Sequence, residues 1–194
     1  MRSLLTPELV LRAYEHGYFP MADPETGEVA FYSPDPRAII PLDGVKISRS
    51  LRQTIRKGLY QIRINTAFEA VIRGCAERPH SWISAEIIAV YTELHRRGFA
   101  HSVEAWYGEE LAGGLYGVAL GGAFFGESMF TRRRDASKVA FVALVERLRQ
   151  RGFVLLDAQY INPHTRRLGA IEIPRQEYLQ RLWAALRLPC RFAE

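Results

Sequence analysis

Apolar positions recur along this chain with two different periods, and the switches between them mark its elements. Leu9, Val10, Ala13 and Tyr14 fall on one stripe of a helix that Thr6, Pro7 and Glu8 open and Gly17 stops. Helical spacing returns over 48–57, a short stretch carrying Arg49, Arg52, Arg56 and Lys57 ahead of Gly58. It returns again from Ser84, a capping residue, to the stop at Gly98. Thr66-Ala67-Phe68-Glu69 has the form of a capping box opening a helix through about residue 77. Two further helices are predicted at 136–151, ending on Gly152, and at 175–186. The two-residue period of strands occupies 60–64, 101–107, 111–118 and 122–130, and a continuously apolar strand covers 153–157.

Residues 18–37 fit neither period. Tyr18-Phe19-Pro20-Met21 and Phe31-Tyr32-Ser33-Pro34-Asp35-Pro36-Arg37 flank a polar loop. The prolines forbid helix and the aromatics anchor the chain, which predicts a packed, extended segment beside a cleft. Seven of the 15 glycines lie between Gly108 and Gly126, a density that predicts bulges or the close approach of another backbone or a ligand. Three antiparallel strands, the first two joined through Gly108-Glu109-Glu110, then a crossover helix, another strand and a last helix give an α+β arrangement. That order is compatible with folds of the acetyltransferase type.

At 194 residues the chain has room for one principal core, and 48% hydrophobic with 24% charged residues excludes a disordered or collagen-like polymer. Lys and Arg total 26 against 21 acids, a net charge of +5, and only Lys46, Lys57 and Lys138 are lysines. Guanidinium suits planar recognition of phosphate and carboxylate. The excess is equally compatible with a nucleic-acid partner and with arginine-rich base composition. Cys75 and Cys190 are too isolated for a disulfide framework or a zinc site. The longest apolar run is too short to span a bilayer, and Glu8 interrupts any leader-like start, so a cytoplasmic protein with no membrane partner is expected.

Three polar residues stand out chemically. Glu127 sits inside the apolar, glycine-rich stretch 124–130, where a carboxylate is costly unless paired or used. Asp157 ends the apolar strand and Gln159 follows on the same face. Such positions at the mouth of a sheet suit a site, although an ion pair with a neighbouring arginine accounts for them as well. Arg132-Arg133-Arg134 precede the helix at 136, which also carries Lys138, and read either as a phosphate site at a helix N-terminus or as a solvated basic loop. No Walker sequence is present, the five histidines lack metal-ligand spacing, and Ser128 lacks the second glycine of a GxSxG elbow. On spacing alone Phe124, Met129, Phe141, Leu144 and Leu148 read as core.

Several ordered strings carry a more specific signal: Tyr18-Phe19-Pro20, Tyr32-Ser33-Pro34-Asp35-Pro36-Arg37, His101-Ser102-Val103-Glu104-Ala105-Trp106, Gly113-Gly114-Leu115-Tyr116-Gly117-Val118, Gly126-Glu127-Ser128-Met129-Phe130, Ala136-Ser137-Lys138 and Asp157-Ala158-Gln159. Together they closely resemble the leucyl/phenylalanyl-tRNA–protein transferase family over nearly the whole chain. The resemblance implies a GNAT-like, acetyltransferase-like catalytic domain over 63–194 behind a small N-terminal lobe over 1–62, shortened here. It implies transfer of Leu or Phe, and Met by extension, from aminoacyl-tRNA (Leu-tRNA, Phe-tRNA) to proteins with N-terminal Arg or Lys, creating an N-degron, by a monomer that uses no metal and no cofactor.

Carried over residue by residue, the family's key acid falls on Glu127 and its Asp-x-Gln pair on Asp157 and Gln159. The aminoacyl pocket would draw on Leu115, Phe124, Met129, Phe141, Leu144, Leu148 and Leu156. Met21, Trp82 and Ser128 would meet the acceptor or the tRNA 3′ end, and Arg49, Arg52, Arg56, Arg132, Arg133 and Arg134 the tRNA backbone. Trp82 matches the family's loop tryptophan, whereas Met21 and Phe31 stand where tryptophans are common and Thr131 where serine is usual. Two rivals stay open at this point. An acyl-CoA-dependent N-acyltransferase would need glycines that 132–137 lack. A non-catalytic RNA-binding module leaves Glu127 unexplained.

Overall fold

The computed structural model describes residues 5–193. Helix α1 (Pro7–Glu15) starts where Thr6 Oγ1 accepts the N–H of Leu9, and it buries Val10 and Tyr14. The segment expected to be extended forms a hairpin of β1 (Phe19–Ala22) and β2 (Val29–Tyr32). Its end is tied to the Trp82 loop by Ala22 N–H donating to Trp82 O at 3.1 Å. Strand β3 (Arg37–Ile39) follows, then α2 (Arg49–Arg56), capped by Ser48, and β4 (Gln61–Ile64). Helix α3 (Phe68–Ala76) and the Ser84-capped α4 (Ala85–Arg96) lead into β5 (Ala100–Tyr107), β6 (Glu110–Leu120) and β7 (Ala123–Thr131). The chain closes with α5 (Ala136–Gln150), β8 (Leu155–Gln159), α6 (Pro163–Leu168), β9 (Ile171–Ile173) and α7 (Arg175–Leu186).

Seven strands make one sheet in the order β4-β5-β6-β7-β8-β3-β9. All neighbours are antiparallel except β7 and β8, which α5 links as a parallel crossover pair. The sheet draws strands from both sides of residue 62. Apolar side chains pack on both faces. Leu115, Phe124, Phe141 and Leu148 join a core with α5, while Tyr14, Phe68, Tyr91, Tyr116 and Phe125 join a core with α1, α3 and α4.

Two expectations need correction. The capping box at 66–69 does not form: Ala67 is the N-cap of α3 and makes no side-chain cap. The Thr66 hydroxyl instead donates to the carboxylate of Glu104 on β5, which also accepts the backbone N–H groups of Thr66 and Ala67. A charged acceptor from the sheet thus takes the task of the local box. The last apolar strand runs from 155 to 159 rather than 153 to 157, because the chain does not enter the sheet until Leu155. Strands β3 and β9, three residues each, and helix α6 were not foreseen.

The glycine-rich stretch does produce the expected irregularities. Pairing of β6 with β7 shifts between Tyr116 and Gly117: Ser128 faces Tyr116, Gly126 faces Gly117, and Glu127 is the extra residue between them. A Cβ on Gly117 would lie 2.3 Å from Phe125 O and 2.4 Å from the Phe124 ring, so no larger residue fits beside this bulge.

Candidate active site

Parallel pairing of β7 with β8 ends at Phe125 opposite Asp157. Beyond it the strands part, and the gap opens into a cavity of about 480 Å³. Gly126, Glu127 and Ser128 come from one side, and Asp157, Ala158 and Gln159 from the other. Divergence of parallel strands at their C-terminal ends leaves a crevice with unpaired backbone, a common place for ligands. The bulge aims Glu127 into it.

The Glu127 carboxyl is held from one side. Its Oε1 accepts the Tyr14 hydroxyl of α1 and, at 3.3 Å, the amide Nε2–H of Gln159. The Tyr14 hydroxyl shares a further hydrogen bond of 2.5 Å with that of Tyr91 on α4. Glu127 Oε2 is buried and has no partner among the described residues. Burial pushes the carboxyl up to about 8, against the opposing effect of the Tyr14 and Gln159 hydrogen bonds. Burial also raises the Tyr14, Tyr91 and Tyr116 phenols well above 10, so all three stay neutral.

Asp157 has a different environment. Arg37 of β3 grips it in a fork, Nε to Oδ1 at 3.0 Å and NH2 to Oδ2 at 2.6 Å, with both side chains fully buried. The Tyr178 hydroxyl donates to Oδ2 at 3.0 Å and the Gln159 N–H to Oδ1 at 2.9 Å. Arg37 is completed by Gly17 O at 2.6 Å and by the Tyr178 ring, 4.2 Å below its guanidinium carbon. Asp157, with both oxygens engaged, therefore fixes the backbone at Gln159, which stands at φ 63°. The side chain of Gln159 hangs from this anchor and reaches Glu127.

The cavity brings together most of the expected residues. Leu115, Met129, Phe141, Leu144 and Leu156 line it, with Met21, Trp82 and Ser128 also on its wall. Phe124 and Leu148 do not: they are buried in the α5 core, Phe124 against Phe192 with ring centroids 5.1 Å apart. A residue two positions away along a strand or four along a helix shares the face but not the depth. Sequence reasoning missed Arg37, Tyr14, Tyr91, Tyr116 and Tyr178. Arg37 was visible in the Ser-Pro-Asp-Pro-Arg string, but nothing local pairs it with an acid 120 positions away.

The basic candidates divide. Arg49, Arg52 and Arg56 are exposed on α2, and Arg52 lines a second groove of about 500 Å³ with Lys46, Lys138 and Arg167. His164 and Leu168 line both this groove and the cavity, so the two are adjacent. Asp135 is the N-cap of α5 but makes no side-chain cap bond; its carboxylate accepts the Thr54 hydroxyl at 3.2 Å and lies 3.7 Å from Lys138 Nζ. Arg132 pairs with Glu77 at 3.2 Å and Arg133 with Glu110 at 2.6 Å, while Arg134 is largely exposed. Among the described residues, no cluster of three or more His, Cys, Asp or Glu side chains is placed to hold a metal ion, and no helix is long and apolar enough to cross a membrane.

Comparison with known proteins gives a consistent result. A family model described as leucyl/phenylalanyl-tRNA protein transferase matches residues 39–183, and one described as that transferase's N-terminal domain matches residues 3–35. The leucyl/phenylalanyl-tRNA–protein transferase of Rubrobacter xylanophilus is 61% identical over 190 residues, covering 97% of this chain and 99% of its own length. That of Gloeobacter violaceus is 58% identical over 188 residues, covering 97% of each. That of Herpetosiphon aurantiacus is 53% identical over 193 residues, covering 99% of this chain and 100% of its own length.

Proposed function

The chain belongs to the leucyl/phenylalanyl-tRNA–protein transferase family, an aminoacyltransferase family, and from that premise we infer that the cavity between β7 and β8 is its transfer site. The observation that carries this reading is Glu127: a bulge-aimed, buried carboxyl with one oxygen held and one free, at the end of an apolar cavity. The aminoacyl side chain lies against Leu115, Met129, Phe141, Leu144 and Leu156, a wall that accepts Leu, Phe and Met and discriminates weakly among them. The 3′ end meets Met21, Trp82 and Ser128.

The aminoacyl ester is already activated, so the protein gains rate by orientation and by a suitable electrostatic environment. The attacking α-amine donates to the free Oε2 of Glu127 and to the side-chain oxygen of Gln159, whose NH2 is turned away onto Glu127. A cation arriving beside Glu127 lowers its raised pKa and leaves a carboxylate able to take the amine's proton. Asp157, neutralised by Arg37, serves as the rigid mount of Gln159. The acceptor is an N-terminal Arg or Lys, whose positive side chain suits the same carboxylate, and the product is a protein marked by a new hydrophobic N-terminus.

The tRNA backbone runs along α2 and the groove of Lys46, Arg52, Lys138 and Arg167, which adjoins the cavity at His164 and Leu168. Arg132, Arg133 and Arg134 serve as outer contacts once they exchange their acidic partners for phosphate. The β5–β6–β7–α5–β8 unit is acetyltransferase-like, supported by the antiparallel run, the parallel crossover and the parting of the strands at the site. The enzyme works as a cytoplasmic monomer. The test is transfer of labelled leucine from Leu-tRNA to peptides beginning with Arg, Lys or Ala. Label is expected on the first two alone; label on the Ala peptide contradicts the acceptor assignment, and no label on any contradicts the transfer reading.

A further inference from the structure

Two residues that line the cavity each carry a buried side-chain oxygen with no hydrogen-bond partner among the described residues, Glu127 Oε2 and the Tyr116 hydroxyl. Transfer chemistry uses the first and assigns nothing to the second. Tyr116 lies on β6 directly opposite Ser128, beside the bulge that aims Glu127. Its ring is fully buried and is fixed edge-on by Phe68, at 5.8 Å, and by Tyr91, at 5.9 Å. A buried hydroxyl without a partner is costly, and native proteins seldom keep one without a use. Elsewhere on the cavity lining, Gln159 Nε2 donates to Glu127, Gln159 N–H to Asp157, and Arg78 NH2 to Ser128 Oγ and Met129 O.

We propose that Tyr116 is a catalytic residue whose O–H donates to the carbonyl oxygen of the aminoacyl ester as that oxygen becomes negatively charged. The proposal rests on the transfer reading of the cavity. The amine lone pair forms the C–N bond, and the carbonyl electron pair moves onto oxygen, where Tyr116 holds it. The pair then returns, the C–O bond to the ribose breaks, and the ribose oxygen leaves with its electrons. The proton lost by the amine passes to Glu127 and from there to that ribose oxygen, so the carboxylate is regenerated. Tyr116 keeps its own proton throughout, which suits a phenol that burial holds well above 10. A preset donor aimed at developing charge needs no reorganisation during the reaction.

The test is Tyr116→Phe in the full chain, which removes the hydroxyl and keeps the ring. The expected result is a fall in kcat of about 100-fold at saturating Leu-tRNA and Arg-peptide. KM for both substrates stays within about twofold, and Tm is unchanged or higher because an unpaired hydroxyl has been deleted. Tyr91→Phe is the comparator: it deletes a hydroxyl that is bonded and lowers Tm. A readout independent of turnover is binding of the phosphonate analogue of phenylalanyl-adenosine, tetrahedral and anionic, against the planar amide analogue. Tyr116→Phe should weaken the phosphonate about 100-fold and leave the amide unchanged. A kcat within about threefold of wild type, or equal loss of both analogues, overturns the proposal. Wild-type protein that transfers no leucine overturns the transfer reading instead, and the analogue comparison still decides the role of Tyr116.

Discussion

Two glutamates on one sheet are treated in opposite ways. Glu104 on β5 is fully buried and receives five donors: the N–H groups of Thr66 and Ala67, the hydroxyls of Thr66 and Ser102, and the indole N–H of Trp106. Among the described residues Glu127 on β7 receives two, both on the same oxygen, and its other oxygen is buried and bare. The first carboxylate fastens the start of α3 to the sheet and has no capacity left for a ligand. The second is incomplete until something donates to it. Burial alone does not mark a functional acid; what marks one is burial combined with an unfilled hydrogen-bonding position.

The largest difference should appear on neutralising each acid in place. Glu127→Gln is expected to lower leucine transfer by about 100-fold or more, since both the proton acceptor and the charge facing the amine are lost. Its stability should change in the other direction. The folded chain holds the Glu127 proton up to about pH 8, whereas an ordinary glutamate releases it near 4.5, so wild-type stability declines as pH rises through that window. Glutamine does not titrate. The variant should therefore gain Tm relative to wild type progressively from pH 5 to pH 8, by several degrees at the upper end. Melting curves at four pH values check this, and a constant offset across the range would remove Glu127 from the set of strained groups.

Glu104→Gln should do the reverse, costing about 2 kcal/mol or more of stability as charge-assisted bonds weaken and the new amide hydrogens meet donors. Urea titration measures it, and the rate per folded molecule should be unchanged.

Much of this contrast was invisible in the sequence. Caps at Thr6 and Ser84 and the helices near 48–57 and 175–186 were legible because their signals lie within a few residues. The capping box at Thr66 failed because Glu104, 38 positions away, offers Thr66 a stronger acceptor. Strands β3 and β9 carry too few residues for any period to show. Glu127, Asp157 and Gln159 stood out as polar residues in apolar surroundings, and the family resemblance added Leu115, Met129 and Trp82. What no local pattern contains is the partner set: Arg37 on Asp157, Tyr14 on Glu127, and the register shift that makes Glu127 the extra residue of a bulge. These partners engage both oxygens of Asp157 and only one of Glu127 among the described residues, although both are acids in apolar strands.

The smallest effect, and the sharpest test of the comparison, comes from removing a single donor from each acid. Thr66→Val deletes one hydroxyl of the five donors on Glu104, and the remaining four still cover both carboxylate oxygens, Trp106 Nε1 at 3.1 Å on the same Oε2. A loss of about 1 kcal/mol is expected, with the pH dependence of transfer unaltered. Tyr14→Phe deletes one of only two donors on Glu127 and leaves Gln159 alone on Oε1. With less to support its charge, Glu127 ionises later, so the rising limb of the transfer rate against pH should move upward by about one unit. At pH 7 that shift appears as a loss of about tenfold, and by pH 9.5 the two proteins converge. The acceptor's α-amine titrates in the same range, but it is common to both proteins and drops out of the comparison. If Thr66→Val moved the limb and Tyr14→Phe did not, the roles given to the two glutamates would have to be exchanged.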